Sequence, residues 1–325
     1  MRRKEFAALL ERIEELTPAQ RATLSEKLLE GAPDDKVLNA VNVRVDGNPS
    51  CPHCGHKEVG GWGQRRGIRR LRCRSCGKTF NALTATPLAR LHHRETWAQF
   101  AEAMKAGLSV REAGKLCGVH YTTAFRWRHR WLAAPRDKKQ GVFTGIVEAD
   151  ETFFLESQKG SRVWTRAARG ECEPPDRLPR RRGGSASKRG VSGEQVPVLV
   201  VRDRHGTTAD AVLPGVTKEA LRAVLRPIMS KDTLLCTDGL RIYRTLAKEE
   251  GFAHQPVNVS SGCRVKDRVF HIQHVNAYHS RLKGWLRQFN GVATRYLSNY
   301  LGWRRMLEHG GDMLAPLEVL SMALG

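Results

Sequence analysis

Apolar positions recur along this chain with two periods, and the change of period divides it. Phe6, Leu9, Leu10, Ile13 and Leu16 recur at helical spacing. Thr17-Pro18 reads as an N-cap with proline at the first helical position, and Leu24, Leu28 and Leu29 continue an apolar face. Two short helices are predicted over about residues 1–31, either a hairpin covering the next domain or a small dimerisation element. Gly31-Ala32-Pro33-Asp34-Asp35 reads as a linker. Helical spacing returns at Trp97, Phe100, Ala101 and Met104, and Gly107-Leu108 ends that helix. Ser109-Val110-Arg111-Glu112 has the residues of a capping box. A second helix carries Ala113 and Leu116, and Cys117-Gly118-Val119 is a turn. A third helix over Tyr121–Trp131 turns Ala124, Trp127 and Trp131 inward. This is a helix-turn-helix pattern, followed by a polar linker over 133–141.

From Val142 the pattern becomes strand-like. An apolar run to Val147 meets Glu148, Asp150 and Glu151, which predicts a strand with Asp150 at or near its end. A carboxylate there costs desolvation unless something cationic meets it; the blander alternative is an edge strand with solvated acids. Val196 to Asp203 predicts a strand, Asp203–Gly206 a turn, and Thr207 to Leu213 a return strand. A helix follows with Leu221, Val224, Leu225 and Ile228 on one face. Asp232 to Gly239 reads as a buried strand ending in an acid and a glycine. Leu240–Glu250 reads as helix and Gln255–Val259 as a short strand. In the next helix Val275, Tyr278, Leu282 and Trp285 form an apolar stripe, with Asn276, His279 and Lys283 on an adjacent one. Tyr296–Leu307 is a further helix, and the apolar tail Ala315–Leu324 packs back on the core. Glu156 to Glu194, with Arg180-Arg181-Arg182 inside it, predicts a mobile basic loop.

Charge adds a partner. Lys and Arg number 55 against 33 Asp and Glu, a formal net charge of +22. An excess that large implies a polyanion, most simply nucleic acid. No apolar run of about 18 residues argues for a membrane, and no secretory signal leads the chain.

Four of the 8 cysteines fall in two pairs, Cys51-Pro52-His53-Cys54-Gly55 and Cys73-Arg74-Ser75-Cys76-Gly77. Two C-x2-C pairs at this separation fit a four-thiolate structural zinc site. Cys117, Cys172, Cys236 and Cys263 are scattered, so the usage is that of a metal site in a reducing cytoplasm, not a disulfide framework. Between the pairs lie Trp62, Arg65, Arg66, Arg69, Arg70 and Arg72, a basic ribbon suited to phosphate. In the third helix of the helix-turn-helix, Thr122, Thr123, Arg126 and Arg130 are the candidates to meet a major groove.

Acids at two strand ends and a polar stripe on a helix can converge on divalent metal, as phosphoryl transfer requires. Strand alternation turns Glu148 to the same side as Asp150, and Glu151 elsewhere.

Glu148-Ala149-Asp150-Glu151-Thr152, the strand at Gln195-Val196-Pro197-Val198, Thr237-Asp238-Gly239, and Val275-Asn276 followed by a basic helix together resemble the ISXO-like insertion-sequence transposases. The resemblance covers about residues 45 to 310. It implies a DDE-type enzyme whose α/β catalytic domain has a ribonuclease-H-like core with a mixed sheet, preceded by a zinc ribbon and a helix-turn-helix. The implied layout is a helical segment at 1–35, the ribbon at 45–85, the helix-turn-helix at 90–135, the catalytic domain at 142–310 with the basic loop at 156–194, and a tail at 311–325. Asp150 and Asp238 become the first two ligands of Mg2+ or Mn2+. The family's helix often places Asn three residues before Glu; here Asn276 is followed by His279. His279 completes a variant site as ligand, base or phosphate contact, or Asn276 supplies its carbonyl oxygen, or the element has decayed to a DNA-binding regulator. Lys283 is a DNA contact. The implied partners are the element's terminal inverted repeats and target DNA, in a homodimer or higher assembly at the bacterial nucleoid.

Overall fold

The computed structural model describes residues 8, 10, 12–13, 15–21, 23–24, 33–46, 49–138, 141–175, 184–188, 192–230, 232–257 and 265–325. Most of the expected N-terminal helix pair, Arg180 to Arg182, and Cys263 lie outside them. The chain divides into two compact units, Met1–Trp131 with Ala315–Gly325, and Leu132–Leu314.

In the first unit, helix α1 (Pro33–Asn42) begins inside the stretch expected to be a linker. Proline is well suited to the first helical position, where its missing N–H is not needed. Val37 and Val41 are buried on it. Three strands follow, β1 (Val59–Arg65), β2 (Ile68–Cys73) and β3 (Thr79–Asn81), paired antiparallel in that order. Helices α2 (Trp97–Lys105), α3 (Val110–Leu116) and α4 (Tyr121–Trp131) form the three-helix pattern. Its core is aromatic: Phe100 meets Trp127 and Trp131 edge-on at ring separations of 5.2 Å each. The capping box is present, with Glu112 N–H donating to Ser109 Oγ at 3.3 Å and Ser109 N–H to Glu112 Oε2 at 2.8 Å.

The second unit opens with α5 (Ala133–Asp137), where a polar linker was expected. Pro135 is buried on it. Its backbone lies so close to Gly302 that a Cβ there would sit 2.7 Å from the Arg136 Cα. Packing against a helix thus orders a segment whose composition alone reads as linker. The sheet comprises β4 (Ile146–Leu155), β5 (Gln195–Asp203), β6 (Thr208–Val212), β7 (Leu234–Thr237) and β8 (Ala253–Pro256), in the order β6-β5-β4-β7-β8. The pairs among β4, β5 and β6 are antiparallel; β7 runs parallel to β4 and β8 to β7. Between β4 and β5 the described residues include the short helix α6 (Val163–Ala167).

Odd-numbered β4 residues, Val147 and Ala149, enter a core with Leu221 and Leu225 of α7 (Lys218–Leu225) and Tyr243 and Leu246 of α8 (Arg241–Glu250). Even-numbered residues face α9 (Gln273–Arg287). Helix α10 (Leu297–Gly310) braces α9 and the sheet through Glu308, which accepts from Arg202 at 2.7 Å, Arg281 at 2.8 Å and Arg304 at 3.0 Å. The expected tail is helix α11 (Pro316–Leu324), and it belongs to the first unit, not to the α/β core. Its Val319, Leu320, Ala323 and Leu324 are buried.

Candidate active site

Asp150 lies in the middle of β4, not at its end. The strand continues because Thr152, Phe153 and Phe154 keep a β-favouring pattern and pair with Val198, Pro197 and Val196 of β5. On the other side, Glu148 pairs with Cys236 of β7. Continued by two residues, that parallel register brings Asp150 level with Asp238, just past the end of β7. Strands neighbour each other at about 4.8 Å, so the two residues stand on neighbouring strands, and the charge of Asp238 is felt at Asp150. Gly239, at φ 88°, turns the chain sharply after Asp238, and Asp238 Oδ1 accepts the Leu240 N–H at 3.1 Å.

The electrostatics fit an acid cluster short of positive charge. Burial, then the charges of Glu151 and Asp238, push the Asp150 carboxyl up to about 7. His279, on α9, is buried, with its Nδ1 3.9 Å from Asp150 Oδ2. Burial, then Lys283, push the imidazole down to about 4, so it is neutral and a competent ligand at physiological pH. Its Nε2 is buried and has no hydrogen-bond partner among the described residues. Lys283, one turn further along α9, is lowered by burial while Asp150 opposes that shift. Its Nζ lies 6.0 Å from the Phe154 ring centre. Asn276, three residues before His279 on α9, is exposed, whereas His279 is buried beside Asp150.

Glu151 faces away from Asp150's side, as alternation requires. It is buried, and the Tyr243 hydroxyl donates to its Oε1. Burial raises its carboxyl. We expect Tyr243→Phe to cost about 1–3 kcal/mol, because it removes that donor from a buried acceptor. Urea unfolding measures this; a change under about 0.5 kcal/mol would mean that Glu151 gains another partner.

In the first unit the four cysteines converge. Cys51 Sγ is 3.7 Å from Cys76 Sγ, and Cys54 Sγ is 3.6 Å from Cys73 Sγ. Sulfurs on a tetrahedron of Zn–S bonds of about 2.3 Å would stand about 3.8 Å apart, so the donor set and spacing fit zinc. Cys73 is pushed down to about 6, first by the Cys76 backbone N–H. Cys54 is pushed up to about 12: a backbone hydrogen bond at His56 opposes the shift, and burial with the neighbouring sulfurs drives it. Four thiols this close do not share negative charge evenly until a cation joins them.

The arginines expected to grip DNA divide into two sets. Arg65 and Arg66 are exposed. Arg69 is tied to Asp46 and to the Asn42 carbonyl, and Arg70 donates to Thr79 Oγ1 at 3.2 Å. Arg72 lies over the Trp62 ring at 4.6 Å. On α4, Thr122 and Arg126 are exposed and Thr123 is half-buried. Arg130 is exposed too, but its guanidinium donates to the Pro87 and Ala89 carbonyls. Sequence reasoning left out Tyr121 and Phe125, large exposed side chains on the same helix.

A family model described as the ISXO2-like transposase domain matches residues 142–304. The chain belongs to this transposase family. A second model, the homeodomain-like domain, matches residues 94–136 of this family member. Among solved structures, the crystal structure of a pre-cleavage Mos1 transpososome is 13% identical over 69% of this chain and 80% of that chain, at a TM-score of 0.18. A likeness that low carries no argument. No curated protein matches. Among the described residues no helix is long and apolar enough to cross a membrane.

Proposed function

We propose that this chain is an active insertion-sequence transposase, cutting and joining DNA at a site made by Asp150, Asp238 and His279. The observation that supports the reading is the buried imidazole of His279, whose Nδ1 lies 3.9 Å from Asp150 Oδ2 and whose Nε2 has no partner among the described residues, beside a carboxyl pushed up by burial and then by Glu151 and Asp238. A neutral imidazole nitrogen and two carboxylates form a donor set suited to manganese, and less well to magnesium. Bound there, the metal would activate the attacking oxygen and stabilise the leaving one in an in-line displacement. The protein's part is to hold these donors on two adjacent strands and one helix, and to bring Lys283 toward the phosphate charge. A sheet order of β6-β5-β4-β7-β8, three strands antiparallel and the last two parallel to the centre, favours a ribonuclease-H-like core.

The remaining modules fit the same reading. The ribbon (45–85), built on a structural zinc, and the helix-turn-helix (90–135) would bind the terminal inverted repeats, with Arg65, Arg66, Thr122, Thr123 and Arg126 as contacts. The catalytic domain (142–310) would act first by water at the element end and then by the freed 3′ hydroxyl on target DNA. Two ends must be held together, so the working form would be a dimer or larger assembly on DNA.

The test is strand transfer on a labelled element-end duplex, in magnesium and separately in manganese. Joined products, greater in manganese, are expected. Specific end binding with no cutting in either metal would instead support a decayed enzyme that serves as a DNA-binding regulator.

A further inference from the structure

Glu148 is fully buried in the central strand, and the reaction as proposed does not use it. A buried carboxylate is tolerated only when fully satisfied, and Glu148 is. Its Oε2 accepts the Val275 N–H at 3.0 Å, and its Oε1 lies 2.8 Å from His274 Nδ1, 2.7 Å from Arg204 Nη1 and 3.1 Å from His271 Nδ1. The Val275 N–H belongs to the first turn of α9, where backbone donors have no partner within the helix.

Three ligand atoms, from Glu148, His271 and His274, lie close enough together to hold a metal ion. A cation already stands among them. Arg204 Nη1 is 2.7 Å from His271 Nε2 and 2.9 Å from His274 Nδ1, as well as touching Glu148. Arg204 Nη2 is anchored to the Val269 carbonyl at 2.8 Å. The guanidinium supplies the charge a metal would otherwise bring.

What the cluster does follows from spacing. Glu148 and Asp150 are two apart on a strand, a rise of about 6.6 Å on one face. Val275 and His279 are four apart on a helix, a rise of about 6 Å on one face. Glu148 meets Val275, and Asp150 meets His279. Over this stretch strand and helix therefore run side by side with matched rises, and each of the two contacts is a rung. The first rung is the directional one, because a hydrogen bond to a backbone N–H fixes position along the helix as apolar packing does not.

We propose that Glu148 is a positioning residue that ties the first turn of α9 to β4 and so sets the spacing between His279 and Asp150. This rests on the reading of Asp150, Asp238 and His279 as the metal site. Further along, Tyr278 donates to Asp210 Oδ2 at 3.1 Å and Lys159 donates to the Asn290 and Gly291 carbonyls at 3.0 and 2.8 Å. The helix therefore stays docked when the first rung is lost; its first turn is released, and the change expected at His279, next to the held Tyr278, is a small shift in its distance from Asp150.

The experiment uses the full chain loaded with zinc and compares Glu148→Asp, Arg204→Lys and Asp150→Ala with the wild type. Glu148→Asp keeps the charge but draws it back by one methylene; Arg204→Lys keeps the charge but loses the fork that holds the carboxylate. Three quantities are read: Mn2+ affinity by electron paramagnetic resonance, thermal midpoint, and the manganese dependence of end cleavage. Both positioning variants are expected to weaken Mn2+ about 10- to 100-fold, with an equal rise in the manganese needed for cleavage and an unchanged KM for DNA. Lost stability alone would lower the active fraction and leave the manganese dependence where it was; that result overturns the proposal. So does wild-type Mn2+ affinity in whichever of the two variants folds. Wild-type Mn2+ binding in Asp150→Ala would instead defeat the underlying metal-site reading. A second zinc per chain, lost in His274→Ala, would overturn Arg204 as the cluster's cation.

Discussion

Asp150→Asn is expected to abolish end cleavage and strand transfer, by at least about a thousandfold in rate, while leaving end binding within a few-fold. The size follows if Asp150 is, as proposed, a charged metal ligand, since the transition-state stabilisation a metal supplies amounts to several kcal/mol. The same change should stabilise the metal-free protein. Burial and the neighbouring acids raise the Asp150 carboxyl from 3.8 to about 7, so the folded chain holds that proton more tightly than the unfolded one. The stability this confers is present below about pH 4 and is lost as pH rises through 7, a difference of up to about 4 kcal/mol. Thermal midpoints of the metal-free wild type should therefore fall from pH 5 to pH 8, and those of Asp150→Asn should fall less. Added Mn2+ should raise the wild-type midpoint most at pH 8, where the carboxylate is charged, and leave the variant nearly unmoved. Equal pH profiles for the two proteins would show that Asp150 is solvated and that the site is not the acid cluster described.

The second large effect lies in the ribbon. Cys51→Ser should lose zinc and unfold the three-stranded sheet, because Cys51 and Cys73 are the buried centre of a core that, among the described residues, otherwise contains Phe80, Val59 and Leu71. Structural zinc contributes about 10–16 kcal/mol of apparent binding free energy in small domains, far more than so small a core can replace. Specific end binding should weaken at least about tenfold, or about 1.4 kcal/mol. Strong chelation of the wild type should reproduce this, with zinc and not magnesium restoring it. Metal analysis of the purified variant is the decisive reading: zinc content equal to that of the wild type would rule out the four-cysteine site.

Much of this was legible along the chain. The cysteine spacing needs only a tight turn after each pair, a local property. The capping box at Ser109 and Glu112 and the aromatic spacing of α2 and α4 are likewise local, so helix, cap and buried face appear together in sequence. The hairpin of β5 and β6 was readable from the turn at Asp203–Gly206. Asp150 and Asp238 stood out because acids interrupt otherwise apolar runs.

Other features depended on partners distant in sequence. A strand end and a strand middle look alike until the neighbours are known; pairing with Val196–Val198 carried β4 past Asp150. Residues 133–137 and 33–35 had the composition of linkers but became helical, the first against α10 and the second with proline at its start. The arginines of the ribbon looked equivalent, yet Arg69 is drawn to Asp46 and Asn42, 23 and 27 residues away. The choice between Asn276 and His279 was closed to sequence reasoning because both lie on the polar stripe of one helix. Burial separates them: Val275, Tyr278 and Leu282 form the buried face of α9, which takes in His279 beside Asp150 and leaves Asn276 exposed. By itself, then, the sequence determined the modules, their order and the types of chemical group available, since these follow from spacing and turn chemistry within about 20 residues. Tertiary structure decided which of those groups meet, because contacts such as Glu148 with Val275 depend on how a helix lies along a strand more than 100 residues away.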